Sequence, residues 1–357
     1  MLPVHVPRQN RADPNLHWVW EQSDHGPMSE FRPIARAPGQ SRPRRCKPAR
    51  FSLGIWSRGN AMRYEPHRYF VAPAKGTAEL WRTGAGAVLV FVAGMALYQL
   101  SFALISNLIG PETTQLLVDN TTFDKDSAFA TIYILATFGF FGIGLAMVTS
   151  SIHHRSPATL FGPAAAVVSD AIRVTLSVGA LYIVLSILLP KDIELVRNAE
   201  LARRSWIAIL PISLTAILIQ AGTEELIFRG YLQQQLAARF PKMPLWIIVP
   251  SALFGLAHLS PETAGPNAPY FALWATFFAF AAADLTARTG SIGAAIGFHM
   301  ANNIAAILFT SLLGPGSGLA LYHIPMEASD PRLAAQILPE FVMLFCGWLA
   351  ARLALKV

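Results

Sequence analysis

Three short clusters of polar side chains interrupt an otherwise apolar chain, and their types suit hydrolysis. In "QAGTEELIFRGYL" (220–232), Glu224 and Glu225 adjoin, and Arg229 follows Glu225 by four residues, the spacing of an ion pair on one helix face. Glu224 lies about 100° round the helix from its neighbour. One carboxylate can therefore be neutralised and oriented by Arg229 while the other stays free to take a proton. "FGLAH" (254–258) supplies Phe254 and His258, and "HMANN" (299–303) supplies His299 and Asn303, four apart on one face. Two imidazoles and a carboxylate are the side chains of a three-ligand zinc site with a position open for water; Glu225, His258 and His299 are the candidates to hold it. A metal-free site needs the same residue types: a glutamate activates water, while imidazole and amide donors stabilise the oxyanion of a tetrahedral intermediate. Taken singly, each cluster also has a plain structural account, as a helix-end ion pair or a polar tie between helices.

The elements that must position these residues are membrane helices. The chain of 357 residues is 53% hydrophobic and 14% charged, against about 25% charged in soluble domains. Eight apolar segments, each near the roughly 20 residues that span a bilayer, fall at about 84–109, 127–150, 167–189, 206–225, 245–259, 268–286, 291–313 and 336–355. The fold class expected is an all-α polytopic membrane bundle of about eight transmembrane helices, with N-terminal helices over 81–190 and the core and last helix over 191–357. Ionisable groups inside such spans face the bundle interior or a wet cavity, which favours chemistry over the plain accounts.

Residues 1–80 differ. "RPIARAPGQSRPRRCKPARF" is rich in Arg and Pro without periodicity and reads as a disordered, basic cytoplasmic leader. Met62 opens "MRYEPHRYFVAPAKG", a sensible start for a membrane protein, so the residues before it are expected to be dispensable. Lys and Arg in the leader, "HHRSP", "RGYLQQQLAARFPK", "TARTG" and the tail point to a multi-pass protein of the cell membrane with both termini on the cytoplasmic side; the mixed-charge loop "KDIELVRNAELARR" breaks the pattern. The net charge of +7 follows this topology, and no basic stripe interleaved with aromatics points to nucleic acid. Cys46 and Cys346 indicate neither a disulfide framework nor a cysteine metal site.

Other polar groups are read as structural. Asp170 and Arg173 are expected to form a local pair, Asp284 and Arg288 a surface ion pair, and His153 and His154 to sit solvated in a loop. "GPGSG" (314–318) reads as a flexible turn rather than a phosphate cradle.

The three clusters, in this order, resemble the CPBP family of intramembrane proteases, the CAAX protease and bacteriocin-processing family. Its pattern E-E-x-x-x-R, F-x-x-x-H and H-x-x-x-N is met by "EELIFR" (224–229), "FGLAH" (254–258) and "HMANN" (299–303), with every signature residue present. The resemblance covers roughly 200–312 and implies a helical bundle with a cavity opening toward the cytoplasm. It also implies an intramembrane endopeptidase, CAAX-protease-like, in which Glu224 or Glu225 activates water and His258 helps hold the water or a metal. His299 and Asn303 would bind the metal or the oxyanion, with Arg229 and Phe254 in support. Zinc dependence is left open by these residues, so metalloendopeptidase is one of two mechanisms.

Depth complicates this. If the fourth span ends at the glutamates, they sit at its inner end, whereas His258 lies ~20 Å from Lys242 at the helical rise. Embedding of the piece after Phe228, apolar on either side of Arg229, would let them meet. Partners expected are the lipid bilayer and a peptide or membrane-associated protein substrate, prenylated or not; oligomeric state is open. The alternatives are a non-catalytic bacteriocin-immunity or scaffold protein and a proton-coupled transporter, the latter disfavoured because no inverted repeat is visible.

Overall fold

The computed structural model describes residues 64–112, 127–188, 194–314 and 316–357, together with the backbone of two leader strands. Those strands, β1 (Leu16–Val19) and β2 (Arg32–Ala35), pair antiparallel and belong to a unit of their own, Met1–Arg58. The rest of the expected leader before residue 64 lies outside the described residues. The boundary at 80 shifts: α1 (Glu65–Val71) and a 3₁₀ turn (Ala72–Thr77) form part of the unit Gly59–Val357, with Phe70, Val71 and Ala74 buried. Apolar side chains at these positions, hidden among Arg and Pro in the sequence, anchor the segment.

Each of the eight apolar segments contains a helix, and the seventh runs on into a strand. The helices are α2 (Leu80–Ile109), α3 (Ala128–Ser151), α4 (Ala164–Leu188), α5 (Arg203–Glu225), α7 (Leu245–Ala257), α8 (Ala268–Thr289), α9 (Gly293–Asn303) and α10 (Ile337–Leu355). Six of the segments are long and apolar enough to cross a membrane, and α7 and α9 are shorter. The fourth does not stop at the glutamates. α5 passes through a π-helical stretch, Leu226–Gln233, into α6 (Gln234–Arg239), giving one continuous rod from Arg203 to Arg239. At 1.5 Å per residue, Glu224 lies ~32 Å from one end of this rod and ~22 Å from the other. The glutamates thus sit along the rod's middle rather than at the end of a span.

Burial sorts the helices. Only 11% of the apolar windows of the first, third and last long spans is buried, against 50% for the span Pro261–Thr289. Lipid is as apolar as leucine, so close packing rather than hydrophobic transfer must hold the inner helices together. Small residues allow it. α8 buries Ala275, Ala279, Ala282 and Ala283, while Gly293 and Gly297 on α9 let its backbone lie directly on Val167 and Ala171 of α4, where a Cβ would clash. Gly290, at φ 70°, ends α8, and Ser291 Oγ accepts from Gly293 N (3.0 Å) to start α9, making a tight α8–α9 hairpin. Phe278 and Phe298 stack across it, 5.0 Å apart and 6° from parallel.

A small sheet departs from the all-helical pattern: β3 (Val196–Arg197) pairs antiparallel with β5 (Tyr322–Glu327), which pairs parallel with β4 (Thr310–Leu313). The "GPGSG" segment links β4 to β5, with Ser317 and Gly318 buried and Gly318 pressed onto the Ser127 backbone. No Asp170–Arg173 ion pair forms among the described residues; Ser169 Oγ instead donates to Asp170 (3.3 Å).

Candidate active site

α5 delivers Glu224 and Glu225 at the point where its winding loosens into the π stretch, a feature common at functional sites. Arg229 Nη1 donates to Glu225 Oε1 at 3.0 Å, with both side chains almost fully buried. His299 Nδ1 lies 2.9 Å from the same oxygen. An oxygen paired with a guanidinium is a carboxylate, so the hydrogen of this second bond belongs to Nδ1, and in the neutral ring Nε2 carries the lone pair. Nε2 faces Glu224 Oε2 at 3.7 Å, beyond direct hydrogen bonding. The two glutamates point apart as the helix requires, yet one imidazole, with a nitrogen on each side, addresses both.

The oxygens left over are informative. Glu224 Oε2 and Glu225 Oε2 are buried with no hydrogen-bond partner. Buried carboxylate oxygens are rarely left so, because desolvation without a partner costs a few kcal/mol each. Glu224 keeps 12% of its side chain exposed, against none for Glu225. Arg229 and His299 therefore hold Glu225 in place, and Glu224 is the more accessible of the two carboxylates.

Phe254 forms the floor. Its ring, 2% exposed, lies 4.9 Å from the Arg229 guanidinium carbon, 5.0 Å from Phe228 and 6.1 Å from His299. Gly255, whose missing Cβ lets α7 close onto Ala272 and Thr276 of α8, sets this depth. His258 caps α7 and is exposed; its Nδ1 is 2.8 Å from the Phe254 carbonyl and its ring lies 4.5 Å from that of Phe254. Among the described residues it makes no hydrogen bond or ion pair with Glu224, Glu225 or His299. The Phe254 ring neighbours both histidines. Asn303 Nδ2 donates to Gln220 Oε1 (2.7 Å), and Asn302 ties α9 to α4 through Tyr182 (3.0 Å).

Zinc fits this arrangement poorly. The expected ligands Glu225, His258 and His299 do not converge, and one oxygen of Glu225 already takes a guanidinium and an imidazole. Among the described residues no group of three His, Cys, Asp or Glu is placed to hold a metal ion.

Residues 206–305 match the family described as type II CAAX prenyl endopeptidase Rce1-like. This stretch, residues 206–305, is similar to that family. It contains all three polar clusters and the helices α5 to α9 that carry them. Beyond it, the uncharacterized protein YyaK of Bacillus subtilis (strain 168) is 27% identical over 257 residues, covering 67% of this chain and 81% of that protein. No solved structure matches the chain.

The matched region brings Glu224, Glu225, Arg229 and His299 into one cluster, places Phe254 and Asn303 at its edges, and leaves His258 with no bond to the cluster, its ring lying against that of Phe254. Gln220 escaped the sequence reading, although its place four residues before Glu224 puts it on the same helix face. Two readings are corrected. His153 is 2% exposed rather than solvated: Nε2 meets Tyr231 OH (2.9 Å), and Nδ1 meets Gln235 (2.9 Å) and Thr77. Asp284 and Arg288 are both 8% exposed, and their 2.7 Å pair is buried beneath Trp348 and Tyr64.

Proposed function

We propose that this multi-pass membrane protein is an intramembrane endopeptidase whose water is activated by Glu224. The observation that carries this is the pair of unpartnered carboxylate oxygens beside a single imidazole whose other nitrogen is fixed by Glu225. Water seated between Glu224 Oε2 and His299 Nε2 attacks the carbonyl carbon as its proton passes to Glu224. Asn303 donates to the resulting oxyanion. Collapse breaks the C–N bond, and the Glu224 proton leaves with the amine, so acid and amine are released and the carboxylate is restored. Arg229 orients Glu225, and Glu225 orients the His299 ring. Because the assembled donors do not form a three-ligand metal set, no step is assigned to a metal. His258, at the exposed end of α7 and hydrogen-bonded to the Phe254 carbonyl, is given no step.

The family description favours a prenylated C-terminal CAAX peptide as substrate, and the basic loops favour both termini on the cytoplasmic face. The test is peptide release by the purified protein in liposomes, with prenylated and unprenylated peptides and with and without chelator. Release that survives chelation and disappears in Glu224→Gln is expected. Intact cleavage by Glu224→Gln contradicts the mechanism; no cleavage by the wild type, with folding verified, favours the scaffold reading.

A further inference from the structure

We infer that Gln220 is a positioning residue of the hydrolytic site, acting through Asn303; this rests on the endopeptidase reading. α5 and α9 meet in two polar rungs. Glu225 Oε1 meets His299 Nδ1 at 2.9 Å, and Gln220 Oε1 meets Asn303 Nδ2 at 2.7 Å. The order of the partners, 220 with 303 and 225 with 299, makes the helices antiparallel and fixes their register at both rungs. Gln220 is 7% exposed and sits in the apolar run "LTAILIQAG", where an amide has no solvent to turn to.

The spacing gives the second rung a chemical role. Gln220 precedes Glu224 by four residues and Asn303 follows His299 by four, so the amide pair lies one turn, about 6 Å, from the water position. A peptide carbonyl seated between the rungs presents its carbon to that water and its oxygen to Asn303. The Asn303 amide has two N–H hydrogens and one carbonyl. With Gln220 accepting one hydrogen, the nitrogen is held toward the rung and its second hydrogen remains to donate. Turned the other way, Asn303 would offer its carbonyl to a developing negative charge. The acceptor at position 220 selects the productive orientation; a mere tie between helices would be served by either.

The experiment measures kcat, KM and melting temperature for the full chain in liposomes, comparing Gln220→Met, Gln220→Glu, Asn303→Leu and the Gln220→Met/Asn303→Leu double variant. Gln220→Met keeps the shape and removes the acceptor. It is expected to lower kcat about 10- to 100-fold, the range for outer residues that orient a reacting group, with KM within about twofold. Gln220→Glu keeps the acceptor and is expected to retain kcat within about threefold above pH 7. The double variant should be no slower than Asn303→Leu alone. Wild-type kcat in Gln220→Met, loss in Gln220→Glu, or multiplied losses in the double variant would overturn the assignment. If Gln220→Met does not fold, Gln220→Glu decides alone. Should the wild type cleave nothing, the endopeptidase reading fails separately; additive melting-temperature losses in the cycle would then also remove the rung, and non-additive losses would retain it.

Discussion

Two acid–arginine pairs in this protein share the i,i+4 spacing and are buried, yet they differ in what each carboxylate has left to give. Asp284 is saturated: Tyr64 OH donates to Oδ1 (2.7 Å), while Arg288 Nε (2.7 Å) and Trp348 Nε1 (3.0 Å) donate to Oδ2. It ties α8 to α10 and to the segment before α1. Glu225 spends one oxygen on Arg229 and His299, and its other oxygen, like that of Glu224, is buried with no partner. Spacing alone cannot separate a brace from a reactive site. The inventory of satisfied atoms can, because a brace gains from every donor whereas a general base must keep a lone pair for the proton it takes.

The largest expected effect sharpens this contrast through the arginines. Arg229→Met strands Glu225 charged and buried with one remaining donor, and should destabilise the fold by about 3–5 kcal/mol. Arg288→Met leaves Asp284 two donors and should cost about 1–3 kcal/mol. Denaturant or thermal unfolding in detergent checks the order, and a reversed order would break the comparison.

Acid pH probes the brace side. Burial pushes the His67 imidazole down to about 4, from ~6.5 in an unfolded chain. Its Nε2 accepts from Gln233 (3.2 Å), so the folded form is neutral. Below pH 6.5 the unfolded chain takes up a proton that the folded chain refuses until about 4. Stability is therefore full above pH 6.5 and is lost as pH falls toward 4, by about 3 kcal/mol. His153 is lowered as well, first by burial and then by Arg155, and adds in the same sense. His67→Asn should flatten the unfolding midpoint between pH 6.5 and 4; an unchanged slope would remove His67 as its source.

The smallest effect is Phe254→Leu. Losing the ring beneath Arg229 and beside both histidines should cost about 1–2 kcal/mol and slow turnover modestly, since no reacting atom is removed. A loss of turnover as deep as that in Glu224→Gln would promote Phe254 from floor to participant.

Much of this was legible in the sequence, because apolar run lengths report helices and rare polar residues within them report the site. The Glu225–Arg229 bond follows from helical spacing. The π stretch was not legible, since "LIFRGYLQ" carries no signal separating it from α-helical winding, and a helix end was read where the rod continues. His153 and the Asp284–Arg288 pair were taken as solvated because both flank loops; their burial depends on Tyr231, Gln235, Tyr64 and Trp348, far away in sequence. His258 met its family motif, yet its hydrogen bond goes to the Phe254 carbonyl in the same motif and not to the glutamates or His299. Motif spacing names residues and does not fix which way a helix end turns.

The most direct test of the central claim compares peptide release per folded molecule in Glu224→Gln and Asp284→Asn. The account predicts that Glu224→Gln keeps its melting temperature within a few degrees while turnover falls about 10²- to 10⁴-fold, and that Asp284→Asn melts lower but cleaves as the wild type does. Undiminished release by Glu224→Gln, or loss of release by well-folded Asp284→Asn, would contradict it.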